Sequence, residues 1–206
     1  HRYIRRQRQM CIRDSPLAEG QEFAEAQAGY EALLDRFQSI QLGTADQTGV
    51  PEASYSPSIM DEGSNFYVHV SELASHTSNL RDSARASVLI IEDESTAENL
   101  FARKRVAYQC SASLIERHSD QWKNVIDQFE EKFGKIVGFL KTMEDFHLFK
   151  LTPTSGRLVL GFGQAYDVSG TGMKDLSHVG AGSGKNSNQG HLSLIHISEP
   201  TRPLRI

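Results

Sequence analysis

Two features of this sequence have the residue types to do chemistry: a scatter of histidines and a short basic run, Arg103-Lys104-Arg105. Imidazole can ligate a metal or exchange a proton near neutral pH. A guanidinium can pair bidentately with a carboxylate. The more familiar catalytic patterns are missing. No HxxxH or CxxC spacing and no clustered carboxylates suggest a zinc site. No local context suggests a Ser-His-Asp set. GFGQA at 161–165 has the glycines of a dinucleotide loop but no helix after it. Cys110, in mid-strand, reads as a small buried hydrophobe. His69 and His147 fall in strand patterns, as barrel-face or packing residues. His118 follows a strand and reads as exposed.

The elements that must position these residues lie between two unusual ends. HRYIRRQRQMCIRDS carries five Arg in its first thirteen residues and shows no helical or strand period. It lacks the apolar core of about 7–15 residues that a secretory signal needs. The last fifteen residues, LSLIHISEPTRPLRI, are equally aperiodic. Both ends resemble in-frame translations of a sequencing adaptor. The expected division is 1–15 and 192–206 as non-native segments, 16–170 as the folded domain, and 171–191 as a flexible Gly/Ser-rich tail. The stretch between the foreign ends is about 175 residues, enough for one hydrophobic core. The whole chain carries net charge −4, with much of its basic charge in the ends, which argues against a nucleic-acid binder. No apolar run approaches the ~20 residues of a membrane span. With Cys11 in an end segment, Cys110 has no disulfide partner, which fits a reducing cytoplasm.

The period along the domain is readable. Tyr30, Leu33, Leu34 and Phe37 mark one face of a helix over 21–37. The period then falls to two in SIQLGTAD. A turn at 46–49 leads to PEASYSPSIM, whose prolines predict an edge or bulged strand. A second turn at 61–64 and the strand NFYVHV complete a meander. LASHTSNLRDS predicts a short helix capped by Ser75 or Thr77. ASVLII reads as a strand buried on both faces. EDESTAENLF is an acidic connector, and residues 103–115 form a long strand that places Arg103 and Arg105 on one side and Lys104 on the other. Trp122, Val125, Ile126, Phe129 and Phe133 stripe a helix over 120–133. Gly134 breaks it before a short helical turn. Residues 145–151 and 157–160 read as two further strands. The fold class this implies is α+β: a β-barrel of six or more mostly antiparallel strands with flanking helices, since closure removes exposed edges.

The ordered set IQLGTAD, ASYSPSI, SHTSNL, VLIIEDE, LFARKRV, EKFGKI, EDFHLFKL and GFGQAYDVSG resembles the HugZ/HutZ haem-utilisation family of the pyridoxamine-phosphate-oxidase-like split barrels. The likeness runs from about Leu33 to about His178. It implies a dimeric split barrel, a homodimer with haem at the subunit interface. The implied activity is that of a haem oxygenase-like oxidoreductase, which opens the ring oxidatively and releases iron, with electrons from an external donor or reductase.

The resemblance also assigns residues. A His and an Asp of the family fall at His76 and Asp145, paired across the dimer interface near haem. An Arg near the haem carboxylates falls at Arg105, with Arg103 and Lys104 beside it. The family's axial ligand is a His on the Gly-rich tail. Here an ungapped reading puts Ser183 at that place, so His191, which closes a Gly-His pair, is preferred, with His178 second. Haem b is thus expected as substrate and cofactor. The alternatives are an FMN-dependent oxidoreductase, with Arg103 and Lys104 near the flavin phosphate, and a non-catalytic haem carrier or storage protein. Neither nucleic acid nor membrane is expected as a partner.

Overall fold

The computed structural model describes residues 16–179. Helix α1 (Pro16–Arg36) leads into β1 (Ser39–Ala45), β2 (Pro51–Met60) and β3 (Phe66–Ser71). Then come α2 (Ser75–Ser83), β4 (Arg85–Ile91), a single 3-10 turn at Leu100–Ala102, and β5 (Arg105–Ile115). Helices α3 (Asp120–Phe133) and α4 (Lys135–Leu140) precede β6 (Phe146–Gly161), β7 (Gln164–Ser169) and β8 (Asp175–His178).

All eight strands form one sheet, in the order β3-β2-β1-β4-β5-β6-β7-β8. Antiparallel pairing of β3 with β6, from Phe66 opposite Leu151 to Ser71 opposite Phe146, closes the first six into a barrel. β7 and β8 continue the sheet beyond the closure. One strand, β6, does two jobs because it is sixteen residues long: its first half closes the barrel and its second half carries β7. Two separate strands were expected here. Pro153 and the bulge opposite Gln109 and Cys110 bend the strand without ending it.

Alternation sets the core. Ile40 and Leu42, Val88 and Ile90, Val106 and Tyr108, and Leu151 and Leu158 point inward and are almost fully buried. Burying each such side chain contributes roughly 1.5–3 kcal/mol. Tyr108 donates its hydroxyl proton to Tyr30 (2.6 Å), and Tyr30 donates to Met173 O (3.1 Å), so α1 is tied to β5 and to the segment just before β8. A second core lies outside the barrel, where Trp122, Val125, Ile126 and Phe129 of α3 cover Ile59, Tyr67, Ile115 and Leu148. Ser119 caps α3 by accepting from Trp122 N (3.1 Å).

Four local expectations change. The first concerns β2, which is an edge strand only over Pro51–Pro57. There it pairs with β1 alone, because β3 joins it from Ser58 onward, so neither proline interrupts a ladder on its second side. The cap of α2 falls on Ala74 without a side-chain bond, and the Thr77 hydroxyl instead donates to Ser71 O (2.6 Å). In β4 only one face is buried, with Ser87, Leu89 and Ile91 half-exposed on the other. Finally, the stretch after Ser169 does not turn flexible at once: a 3-10 turn at Thr171–Met173 and strand β8 follow it. The remainder of the expected tail lies outside the described residues, as do both end segments. No described helix is long and apolar enough to cross a membrane.

Candidate functional site

A cleft of about 610 Å³ opens where α1 crosses the ends of β1 and β4, within the range of about 300–1,000 Å³ usual for small-molecule sites. Leu33 of α1, Phe37 just after that helix, Ser39 and Gln41 of β1, and Ile90 and Ile91 of β4 give it an apolar floor with polar edges. Arg36, Arg103 and Lys104 bring three cations to its rim, and Glu92 and Asp93 two carboxylates. Gly29 matters to its shape. A Cβ there would stand 3.2 Å from Leu160 Cδ1, so its absence lets α1 lie close on β6.

Arg103 and Lys104 both line this cleft, but not as alternating strand residues, because β5 begins only at Arg105. Arg103 is folded back: Nε donates to Glu92 O (3.0 Å), Nη2 donates to the same carbonyl, and Nη1 meets Glu94 Oε1 (2.9 Å). Much of its fork is thus spent on the loop. Exposed Lys104 keeps its ammonium at the rim, while its backbone N–H donates to Glu92 Oε2 (3.2 Å). Arg105 lies beside the cleft, opposite Ile91 in the ladder. It donates Nη1 to Arg103 O (2.9 Å), and among the described residues its Nε and Nη2 have no partner. Of the three, Arg105 therefore has the most hydrogen-bonding capacity left for an anion.

His76 sits in the first turn of α2 and is buried. Its Nδ1 lies 3.0 Å from Ser54 Oγ. That hydroxyl has a single proton, directed to Leu42 O (3.3 Å), so the imidazole donates from Nδ1 and its Nε2 is the acceptor. Burial pushes the His76 pKa down, partly offset by Glu52, so the ring is neutral at neutral pH. Asp145 immediately precedes β6 and was expected to begin it. It accepts from Ser71 Oγ (2.9 Å) at Oδ2 and from Glu72 N (2.8 Å) at its carbonyl. No hydrogen bond joins His76 to Asp145 within the chain.

His178 ends β8 and packs edge-on against Tyr166, with centroids 5.3 Å apart. Its Nδ1 lies 3.1 Å from Val179 O. A proton held there leaves the Nε2 lone pair available, the tautomer typical of a metal-ligating His. The preferred ligand, His191, lies outside the described residues, as does Ser183. No cluster of three potential metal ligands occurs among the described residues.

Two histidines that read only as barrel-face or packing residues have surroundings the sequence does not show. His69 is half-buried, and its Nε2 is sealed from solvent without a hydrogen-bond partner. Burial, then the charges of Arg117 and His147, push its pKa down to about 4. His147 does more than pack: Nε2 meets Glu72 Oε1 at 2.6 Å. Alternation showed which face each would occupy, but only the β3–β6 pairing reveals the neighbours.

A closed six-stranded antiparallel barrel, extended past its closing strand and wrapped by helices, is a split barrel. The chain belongs to the pyridoxamine 5'-phosphate oxidase family, whose match covers residues 26–160. The narrower resemblance to haem-utilisation proteins is also borne out. The chain is 43% identical over 150 residues to a protein named heme oxygenase HutZ of Vibrio cholerae, covering 73% of this chain and 85% of that one. A crystal structure of HutZ from the same species, described as a heme storage protein, matches with a TM-score of 0.62 at 36% identity. That match covers 66% of this chain and 96% of that one. Campylobacter jejuni ChuZ matches with a TM-score of 0.68 at 31% identity, covering 82% and 68% of the two chains.

Proposed function

We propose that this protein binds haem and degrades it oxidatively to release iron, with electrons from an external donor or reductase. The observation that carries this reading is its 43% identity, over 150 residues and 73% of the chain, to a protein named a heme oxygenase. Haem is the substrate, and when bound it supplies the iron at which O₂ chemistry takes place. The chain's own part is to hold it. A tail histidine, His191 with His178 second, ligates the iron. Arg105, with Arg103 and Lys104 beside it, pairs with the propionates. The apolar floor of the cleft accepts the macrocycle edge.

The working unit is a homodimer. The outer face of β2, β1, β4 and β5 supports this. Tyr55, Gln41, Leu89 and Ala107 form one row across it, and Ala53, Gly43, Ser87 and Gln109 the next, with no charged side chain in either. Tyr55 is 69% exposed at its edge. An uncharged sheet face of this kind is what an isologous interface covers. In that dimer Asp145 of one subunit would meet His76 of the other. A carboxylate facing His76 Nε2 would raise the imidazole's pKa and favour a proton between them. Such a pair orients what lies beside it and carries no electrons itself. The site of action is the cytoplasm, where a free Cys110 stays reduced.

Titration of the purified protein with hemin and with FMN, followed by ascorbate in air, tests the reading. Saturable Soret absorbance that then bleaches is the expected result. FMN binding without haem affinity would identify a flavin-dependent oxidoreductase instead, and a Soret band stable to reductant would identify a carrier.

A further inference from the structure

The segment between β3 and α2 makes more bonds than a connecting turn needs. Ser71 donates its hydroxyl proton to Asp145 Oδ2 (2.9 Å) while its own Oγ accepts from Leu73 N (3.2 Å). Its carbonyl accepts from Thr77 Oγ1 (2.6 Å), one residue past His76. Next along, Glu72 donates its N–H to Asp145 O (2.8 Å). The Glu72 carboxylate accepts from Arg81 Nη2 of α2 (3.1 Å) and from His147 Nε2 (2.6 Å), two residues past Asp145. The two donors, His147 first, hold the Glu72 carboxyl below its ordinary pKa, so it stays ionised. Ser71 and Glu72 thus bond both to the start of β6 and to the helix that carries His76.

We propose that Ser71 and Glu72 are positioning residues for haem breakdown: they fix Asp145 in register with the helix bearing His76. The inference rests on the roles given above to Asp145 and His76. In a two-fold dimer each subunit gives one Asp145 and one His76 to two equivalent pairs. A fixed spacing between them within one subunit sets the geometry of both pairs. The Ser71 hydroxyl aims one carboxylate oxygen, and Glu72 Oε1 ties the helix to β6 by accepting from both Arg81 and His147. Since Glu72 is exposed and Ser71 only half-buried, neither is needed as core, and their removal leaves the barrel intact.

Ser71→Ala, Ser71→Thr and Glu72→Gln separate positioning from structure. For Ser71→Ala the reductant-driven rate of Soret loss is expected to fall about tenfold, the lower end of what loss of a supporting hydrogen bond costs at a metal site. Haem affinity by Soret titration and thermal midpoint should stay near wild type. Ser71→Thr, which keeps the hydroxyl, should restore the rate, and Glu72→Gln should give an intermediate one. Rates within about twofold of an active wild type for both Ser71→Ala and Glu72→Gln would overturn the clamp alone. A wild type that binds haem without degrading it overturns the parent reading and the clamp together.

Discussion

Replacing His69 by Leu should make the protein less sensitive to acid. His69 lies in β3 opposite Leu148, with its ring 5.1 Å from that of Phe146 and its Nε2 sealed without a partner. A proton on that nitrogen would be a charge with no acceptor beside Arg117, so the folded state resists it. The folded pKa of about 4 lies below the ordinary 6.5, and the unfolded chain therefore binds the proton first as pH falls. Stability from this group is complete above about pH 6.5 and lost as pH drops towards 4. A separation of that size corresponds to about 3 kcal/mol, and screening at the exposed ring edge brings the expected figure to about 2. Urea unfolding of wild type and His69→Leu at a series of pH values between neutrality and the acid limit measures it. Near neutrality the two should differ by no more than about 1.5 kcal/mol, since a polar group without a partner is exchanged for an apolar one of similar bulk. On acidification the wild type should lose about 2 kcal/mol more than the variant. Parallel curves would refute the reasoning.

Other substitutions probe the frame. Tyr30→Phe leaves the fully buried Tyr108 hydroxyl without its partner and should cost about 1–3 kcal/mol in urea unfolding, whereas Tyr108→Phe, which leaves Tyr30 bonded to Met173 O, should cost less. Gly156→Ala places a methyl 2.8 Å from Tyr108 Cδ1 and 3.1 Å from Val168 Cβ, and should destabilise by about 1–3 kcal/mol with a lowered thermal midpoint. In haem titrations Arg105→Ala should weaken binding about tenfold or more, and Arg103→Ala less, because Arg103 is already committed to Glu92 and Glu94.

Much of the barrel was legible because alternation and stripe patterns are local. The helix at 120–133 matched to the residue, since Ser119 caps it and Gly134 stops it. Length and register were not legible where they depend on distant strands. Residues 145–151 and 157–160 read as two strands because Pro153 and Gly156 break the pattern, yet β3, β5 and β7 pair along the whole run and hold it as one. ASVLII read as doubly buried because composition reports apolarity, not which surface covers it. Candidate site residues were found by family likeness, and their bonds only by the fold: Ser54 under His76, Ser71 under Asp145, and the loop carbonyls around Arg103.

The central claim is that bound haem is consumed and its iron set free. The most direct measurement is iron release: a stoichiometric haem complex is given ascorbate in air with catalase present, and liberated iron is trapped by a colorimetric ferrous chelator while the Soret band is followed. Chelated iron should rise in step with Soret loss and approach the haem supplied. A Soret band that persists under reductant, or that fades without chelatable iron, would contradict it.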